Sequence, residues 1–328
     1  MKLRSSPGHA SACKSEVIFI LRQTGVVFFA RSPDRAMAAR AAFPLDPREP
    51  DPVSQRELYS PPPSFLPLLS PDAHVAPIPG SVAARQLIIR YFEGLVPPRG
   101  DEQMEEVCAD MITASRAGVL NGINPDQLLR ACHICDQHGL RVMSRQMEPG
   151  AVQNRMLASY IANIAMYTTE LGQGESPYAA CNRALRDADS VQCKPFVPFI
   201  WHLTHALARC EPYDGDTVYR FVNVDLSAQH LPGSEVTWSS FISCTTSMDE
   251  LRAAGMTGSG TTFAIRLTTG RARSISRYSL MPIEGEVVLP VFSRFRVLEL
   301  EPTGNGRVLI RLEELPPRDP IINFDLQQ

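Results

Sequence analysis

Ser276-Arg277-Tyr278-Ser279-Leu280-Met281-Pro282-Ile283-Glu284-Gly285-Glu286-Val287-Val288-Leu289-Pro290 is the stretch that decides the fold of this chain. It begins as a loop kinked at Pro282 and ends by entering a strand. Val287, Val288 and Leu289 form a short apolar run of the kind that fills a sheet interior. Glu284 and Glu286 stand immediately before that run. In extended chain, residues i and i+2 point to one side, so both carboxylates are expected to face one space. Like charges held close are costly unless something cationic visits. The pair is therefore a candidate for chemistry, with a solvated acidic strand end as the plain alternative.

Around this stretch the chain reads as short β-type runs separated by turns. They are Thr217 to Val222, Val236 to Trp238, Phe241 to Ser243, Thr261 to Leu267 and Phe295 to Leu300. The turn Thr303-Gly304-Asn305-Gly306 leads into Arg307 to Leu312 as a closing hairpin. Upstream the period is helical. Leu87, Ile88 and Tyr91 share a face, and Glu102 to Ala117 predicts a second helix. Asn124 and Pro125 open a third, expected to stop at Gly139. Val152, Met156, Tyr160 and Ile164 predict a long amphipathic helix ended by Gly172 and Gly174. Ser176-Pro177 opens the next, and Ile200, Leu203 and Leu207 define the last. Helices first and strands afterwards give an α+β order rather than alternating βαβ. Neither a Gly-x-Gly-x-x-Gly fingerprint nor a P-loop is present, so a dinucleotide has to be held in another way. Cys132-His133-Ile134-Cys135 lacks a second ligand pair at zinc spacing and reads as core thiols. His202 and His205, one turn apart, have no evident carboxylate or thiolate partner, so no metal is expected.

The totals bound the rest. The 328 residues, 44% hydrophobic and 20% charged, are those of a globular protein able to bury a core. With 32 basic and 35 acidic side chains the net charge is −3, which gives no footprint for nucleic acid. The eight cysteines are scattered and read as buried thiols of a reducing compartment, disulfides being the lesser alternative. Val17 to Ala30 is apolar but contains Arg22 and Gln23 and is too short to span a bilayer. Basic residues on both sides leave a cleaved signal or a transit peptide open beside an untargeted, cytoplasmic chain. Residues 41–80 hold 11 of the 28 prolines, so residues 1–83 are expected to be a disordered proline-rich arm. The expected catalytic domain is 84–328, with a helical lobe over about 84–210 and a β core over about 211–328.

Three strand-borne pieces occur in order: Tyr219-Arg220, then Phe241-Ile242-Ser243-Cys244-Thr245, then Glu284-Gly285-Glu286-Val287. Together they resemble the arginine-specific mono-ADP-ribosyltransferases, whose site is an Arg, a Ser-Thr-Ser and a Glu-x-Glu on successive strands. Tyr167-Thr168-Thr169-Glu170, Tyr178 with Asn182 to Arg186, Lys194-Pro195 and Ala206-Leu207 are similar to that family's helical lobe. The likeness covers about residues 150–315. Two positions depart from it: Phe221 stands where the family has Gly, bearing on the nucleotide's phosphates, and Cys244 replaces the middle Thr.

The resemblance implies a β-rich NAD-binding core and transfer of ADP-ribose from NAD or NADP to a protein arginine. In that reading Glu286 stabilises the cationic ribose and Ser243 holds Glu286. Glu284 orients the acceptor guanidinium and helps remove its proton. Arg220 meets the pyrophosphate, and Ser243 and Thr245 contribute to the NAD site. Trp238 is the candidate for packing on nicotinamide, with core packing as its alternative. Tyr278 resembles the aromatic that touches the protein substrate, with an exposed loop tyrosine as its alternative. Two rival functions follow: an NAD glycohydrolase, and a silent binding module that keeps the fold. Acceptor protein and oligomeric state stay open.

Overall fold

The structure, a computed structural model, describes residues 17–21, 26–30, 79–147, 156–172, 174–253, 259–282, 285–304 and 306–318. Most of the expected arm, the prolines of 41–78 included, lies outside these residues. Within it two strands, β1 (Val17–Leu21) and β2 (Val26–Ala30), pair antiparallel.

The helical lobe runs α1 (Pro79–Phe92), α2 (Met104–Val107), α3 (Ala109–Arg116), α4 (Pro125–Gln146), α5 (Ala158–Tyr167), α6 (Pro177–Asp187), α7 (Ser190–Cys193) and α8 (Val197–Arg209). Asn124 caps α4 as its sequence predicts, its side-chain oxygen accepting from the backbone N–H of Asp126 and Gln127. The single helix expected over 102–117 is two, broken at the buried Cys108. Asp136 of α4 caps the first of them by accepting from Met104 N at 3.0 Å.

Two further expectations are corrected. α4 does not stop at Gly139 but continues to Gln146. A Cβ at Gly139 would collide with the carbonyl oxygen of Ala158 and lie 3.3 Å from Ala162 N, so this glycine admits α5 at close range instead of ending a helix. α5 is neither long nor amphipathic: it has ten residues, and every one from Ser159 to Tyr167 is buried. Its end is set by Thr168 and Thr169, whose hydroxyls both turn back to the carbonyl of Ala165.

The β core follows as β3 (Thr217–Val222), β4 (Glu235–Trp238), β5 (Ile242–Cys244), α9 (Met248–Ala253), β6 (Gly260–Arg266), β7 (Arg273–Ser274), β8 (Val287–Leu289), β9 (Ser293–Gly304) and β10 (Arg307–Leu315). One sheet has the order β3-β6-β10-β9-β4, the other β5-β8-β7. β6 and β10 are parallel, and every other pair in these two sheets is antiparallel. The expected closing hairpin is the β9–β10 pair. β8 shows why its sequence is apolar throughout. Val288 joins the apolar cluster of the helical lobe, whereas Val287 and Leu289 join that of the β core. The short sheet is thus covered on both faces.

Among the described residues no helix is long and apolar enough to cross a membrane.

Candidate active site

The site grows out of the register of β5 against β8, which sets Ser243 opposite Val288. Directly opposed residues share a face, and Glu286, two residues before Val288, falls on the same one. Since Val288 packs into the helical lobe, that face looks toward the lobe. There the hydroxyl of Ser243 donates to Glu286 Oε1, and Glu286 is only 2% exposed. The backbone carbonyl of Glu286 accepts from Ile275 N at 3.1 Å, fixing the glutamate at the entry to β8.

Arg220 enters from β3, an edge strand of the larger sheet. Tyr219 and Thr245 exchange both backbone hydrogen bonds at 2.8 Å, which ties that edge to the end of β5. Arg220 Nη1 then donates to the carbonyl of Ser243 at 3.0 Å. Arg220, Ser243, Thr245 and Glu286, read from three separate motifs, are therefore brought together. Burial lowers the pKa of Arg220, while Cys244, Tyr167, Tyr178 and Glu286 around it favour its charge.

The helical lobe supplies the opposite wall. Tyr167 and Tyr178 meet edge-on with ring centroids 5.8 Å apart, and Tyr167 meets Phe241 at 5.7 Å. Tyr178 donates to Glu170 at 2.7 Å, and the hydroxyl of Ser176 donates to the same carboxylate. Burial, then the nearby charge of Glu286, pushes the Tyr167 phenol well above its usual pKa. Asn182 accepts from Phe241 N at 3.1 Å, joining α6 to the β core.

Arg186, one turn beyond Asn182 on α6, was read from sequence only as part of the helical lobe, with no role in the site. It is exposed to solvent, yet protein crowds its guanidinium. Burial and then the like charge of Arg220 hold it below the usual arginine range. An anion bound near both guanidinium groups relieves that repulsion. The sequence signals were its place in the Asn182 to Arg186 run that resembles the family's helical lobe and its four-residue spacing from Asn182, which puts both on one helix face.

The remaining expectations fare differently. Glu284 lies outside the described residues. The stretch beside it is not plain extended chain, because Gly285 has φ +56°, a left-handed conformation that favours glycine. Trp238 sits on β4, at the far edge of the sheet from Arg220, with its ring against Phe263 and Phe295 at 4.8 and 4.9 Å. Those are the contacts of its core-packing alternative. Tyr278 is 1% exposed within the lobe's apolar cluster and presents no surface to a protein substrate. Phe221 alternates with Arg220 along β3 and points the other way, where a Cβ on Gly260 would lie 2.8 Å from its ring. Its bulk is therefore kept off the face that carries Arg220. Cys132 and Cys135 are buried thiols outside any disulfide, and among the described residues no group of His, Cys, Asp or Glu is arranged to hold a metal.

The site is thus a serine-held carboxylate beside Arg220 and Arg186, under a mixed helix-and-strand core. The family model described as NAD:arginine ADP-ribosyltransferase matches residues 124–317, more than half of the chain. The chain belongs to that ADP-ribosyltransferase family, which uses NAD. Among solved structures it is similar to the type III effector XopAI from Xanthomonas axonopodis pv. citri. That likeness has 17% identity and a TM-score of 0.51, and covers 71% of this chain and 96% of the other. It is also similar to the ADP-ribosyltransferase HopU1 of Pseudomonas syringae pv. tomato DC3000, at 19% identity and TM-score 0.43, covering 71% and 97%. A third is a mutant of the eukaryotic mono-ADP-ribosyltransferase ART2.2 in complex with NADH, at 17% identity and TM-score 0.46, covering 70% and 92%. No curated protein matches the chain.

Proposed function

We propose that the protein transfers ADP-ribose from NAD to arginine side chains of a protein acceptor and releases nicotinamide. The observation that carries this reading is the gathering of Arg220, Ser243 and Glu286 on one face, with Ser243 bonded to both partners. NAD as substrate supplies a ribose whose bond to nicotinamide breaks with the electron pair leaving on nicotinamide, so positive charge develops on the ribose. Glu286 is the fixed carboxylate that stabilises this charge, as carboxylates do in glycosidases. Ser243 sets its orientation. Arg220 and Arg186 offer always-charged forks to the pyrophosphate, and Thr245 holds β3 and β5 in register for it.

A guanidinium acceptor is protonated at neutral pH and is a poor nucleophile. Glu284 is assigned to orient it and take a proton as its nitrogen bonds to the ribose. The seven described cysteines, all buried thiols, suit a reducing compartment such as the cytoplasm. The catalytic domain is assigned to 84–328, behind a proline-rich arm over 1–83.

The test is transfer of labelled ADP-ribose from NAD to agmatine by the full chain, beside Glu284→Ala and Glu286→Ala. Labelled agmatine from the intact protein, lost in both variants, supports the arginine transferase. Nicotinamide release without labelled agmatine replaces it with an NAD glycohydrolase. No release by folded protein leaves a binding module. NADP in place of NAD, in the same assay, decides donor choice.

A further inference from the structure

The turn that precedes Glu286 is held by the helical lobe at two points. Within the turn, Tyr278 N and Ser279 N both donate to the carbonyl of Ile275 at 2.9 Å. Ile275 N is the donor to the backbone carbonyl of Glu286. Turn and glutamate are thus one hydrogen-bonded unit. His138, 140 residues upstream on α4, places Nε2 3.1 Å from the carbonyl of Tyr278. A carbonyl only accepts, so Nε2 carries the proton and donates. Burial pushes the pKa of His138 down to about 4 against the Tyr278 carbonyl, which favours the charged ring, so at ordinary pH the donor is the neutral Nε2–H form. The second hold is Thr168, at the end of α5. Its hydroxyl oxygen accepts from Leu280 N at 3.1 Å while its proton goes to Ala165 O at 3.0 Å. The hydroxyl thus donates one bond and accepts another, and Thr168 is fully buried.

We propose that His138 is a positioning residue for Glu286, its bond to the Tyr278 carbonyl fixing the turn that delivers the glutamate to the face shared with Ser243. The inference rests on the assignment of Glu286 as the charge-stabilising carboxylate. His138 touches neither NAD nor the reacting atoms; it acts through the turn. A displacement of the glutamate by a fraction of an ångström weakens charge stabilisation while the arginines still hold the pyrophosphate. The loss therefore falls on kcat and leaves KM for NAD in place.

The experiment is steady-state nicotinamide release from NAD by the full chain, with His138→Ala, His138→Gln and Thr168→Val. Thermal melting and amide hydrogen exchange of residues 275–282 accompany each variant. The expected result is kcat down about tenfold in His138→Ala with KM for NAD within about twofold. Exchange is expected to rise in the turn. His138→Gln restores most of the rate, because its amide N–H reaches the same carbonyl, and Thr168→Val moves in the same direction as His138→Ala. An unchanged kcat in folded His138→Ala overturns the proposal, as does a rise in KM alone. Failure of His138→Gln to recover the rate while its melting matches wild type assigns His138 to packing and overturns it as well. A wild type that releases no nicotinamide overturns the functional reading and the positioning role with it. Exchange in the turn then separately reports whether the bond from His138 holds the turn.

Discussion

Glu286 is a carboxylate with 2% of its surface exposed, and an ion so buried persists only where neighbours replace its water. Ser243 supplies a hydroxyl donor and Arg220 supplies charge. Glu286→Gln keeps the shape and removes the charge, so nicotinamide release is expected to fall at least about 100-fold with no loss of melting temperature. Ser243→Ala is expected to cost about tenfold in the same assay, since it loosens the carboxylate without removing it. Tyr278 presents the opposite case. Its hydroxyl is buried with no hydrogen-bond partner among the described residues, and burial pushes its pKa up to about 12. An orphaned hydroxyl costs about 1 kcal/mol or more. Tyr278→Phe is therefore expected to raise the melting temperature by about 2–4 °C and leave labelling of a protein acceptor unchanged. Reduced labelling with unchanged melting would return Tyr278 to the substrate surface.

At the scale of elements, Gly139 shows how a residue type misleads when its partner is distant. Read along the sequence, glycine after a helical run is a stop. In the fold it is the point where α4 admits the backbone of α5. Helix propensity alone would make Gly139→Ala stabilising by about 1 kcal/mol. The added methyl instead meets the Ala158 carbonyl, so a net loss of about 1–3 kcal/mol is expected, read as a lower urea midpoint with unchanged m-value. A raised midpoint would show that α4 and α5 separate easily.

The same contrast explains what was legible. β3, β6 and the β9–β10 hairpin follow from period-two runs and turn residues, which are local signals. β7 has two residues and α9 has six, too few to show a period. α5 is buried all round, so its polar face, the basis of the expected amphipathic helix, does not exist. In the site, Arg220, Ser243 and Glu286 were read as site residues because each belongs to a strand-borne motif whose order is itself informative. Arg186 was not, because a helix residue's neighbour across a cleft is decided by tertiary packing alone.

For the whole molecule, the short β5-β8-β7 sheet is the layer on which lobe and β core meet, and histidines lie buried on the lobe side. His205 is 5% exposed, with its ring 4.5 Å from that of Trp201 and neither ring nitrogen bonded among the described residues. Burial, with Arg209 and His202 adding like charge, takes its pKa from 6.5 to about 4. Burial takes His138 to about 4 as well, with Arg141 and Arg145 nearby and the Tyr278 carbonyl opposing the shift. The unfolded chain binds these protons near pH 6.5 and the folded one does not until about pH 4. Between those values the unfolded state holds more protons, so stability rises with pH and is lost as pH falls. It is fully present above about pH 7, and the loss is complete below about pH 4. The melting temperature is therefore expected to drop by several degrees between pH 7 and pH 5. His205→Leu, which cannot take up the proton, is expected to flatten that slope without lowering the melting temperature at pH 7. An equal slope in the variant would move the acid sensitivity to His138 and the contact between lobe and turn.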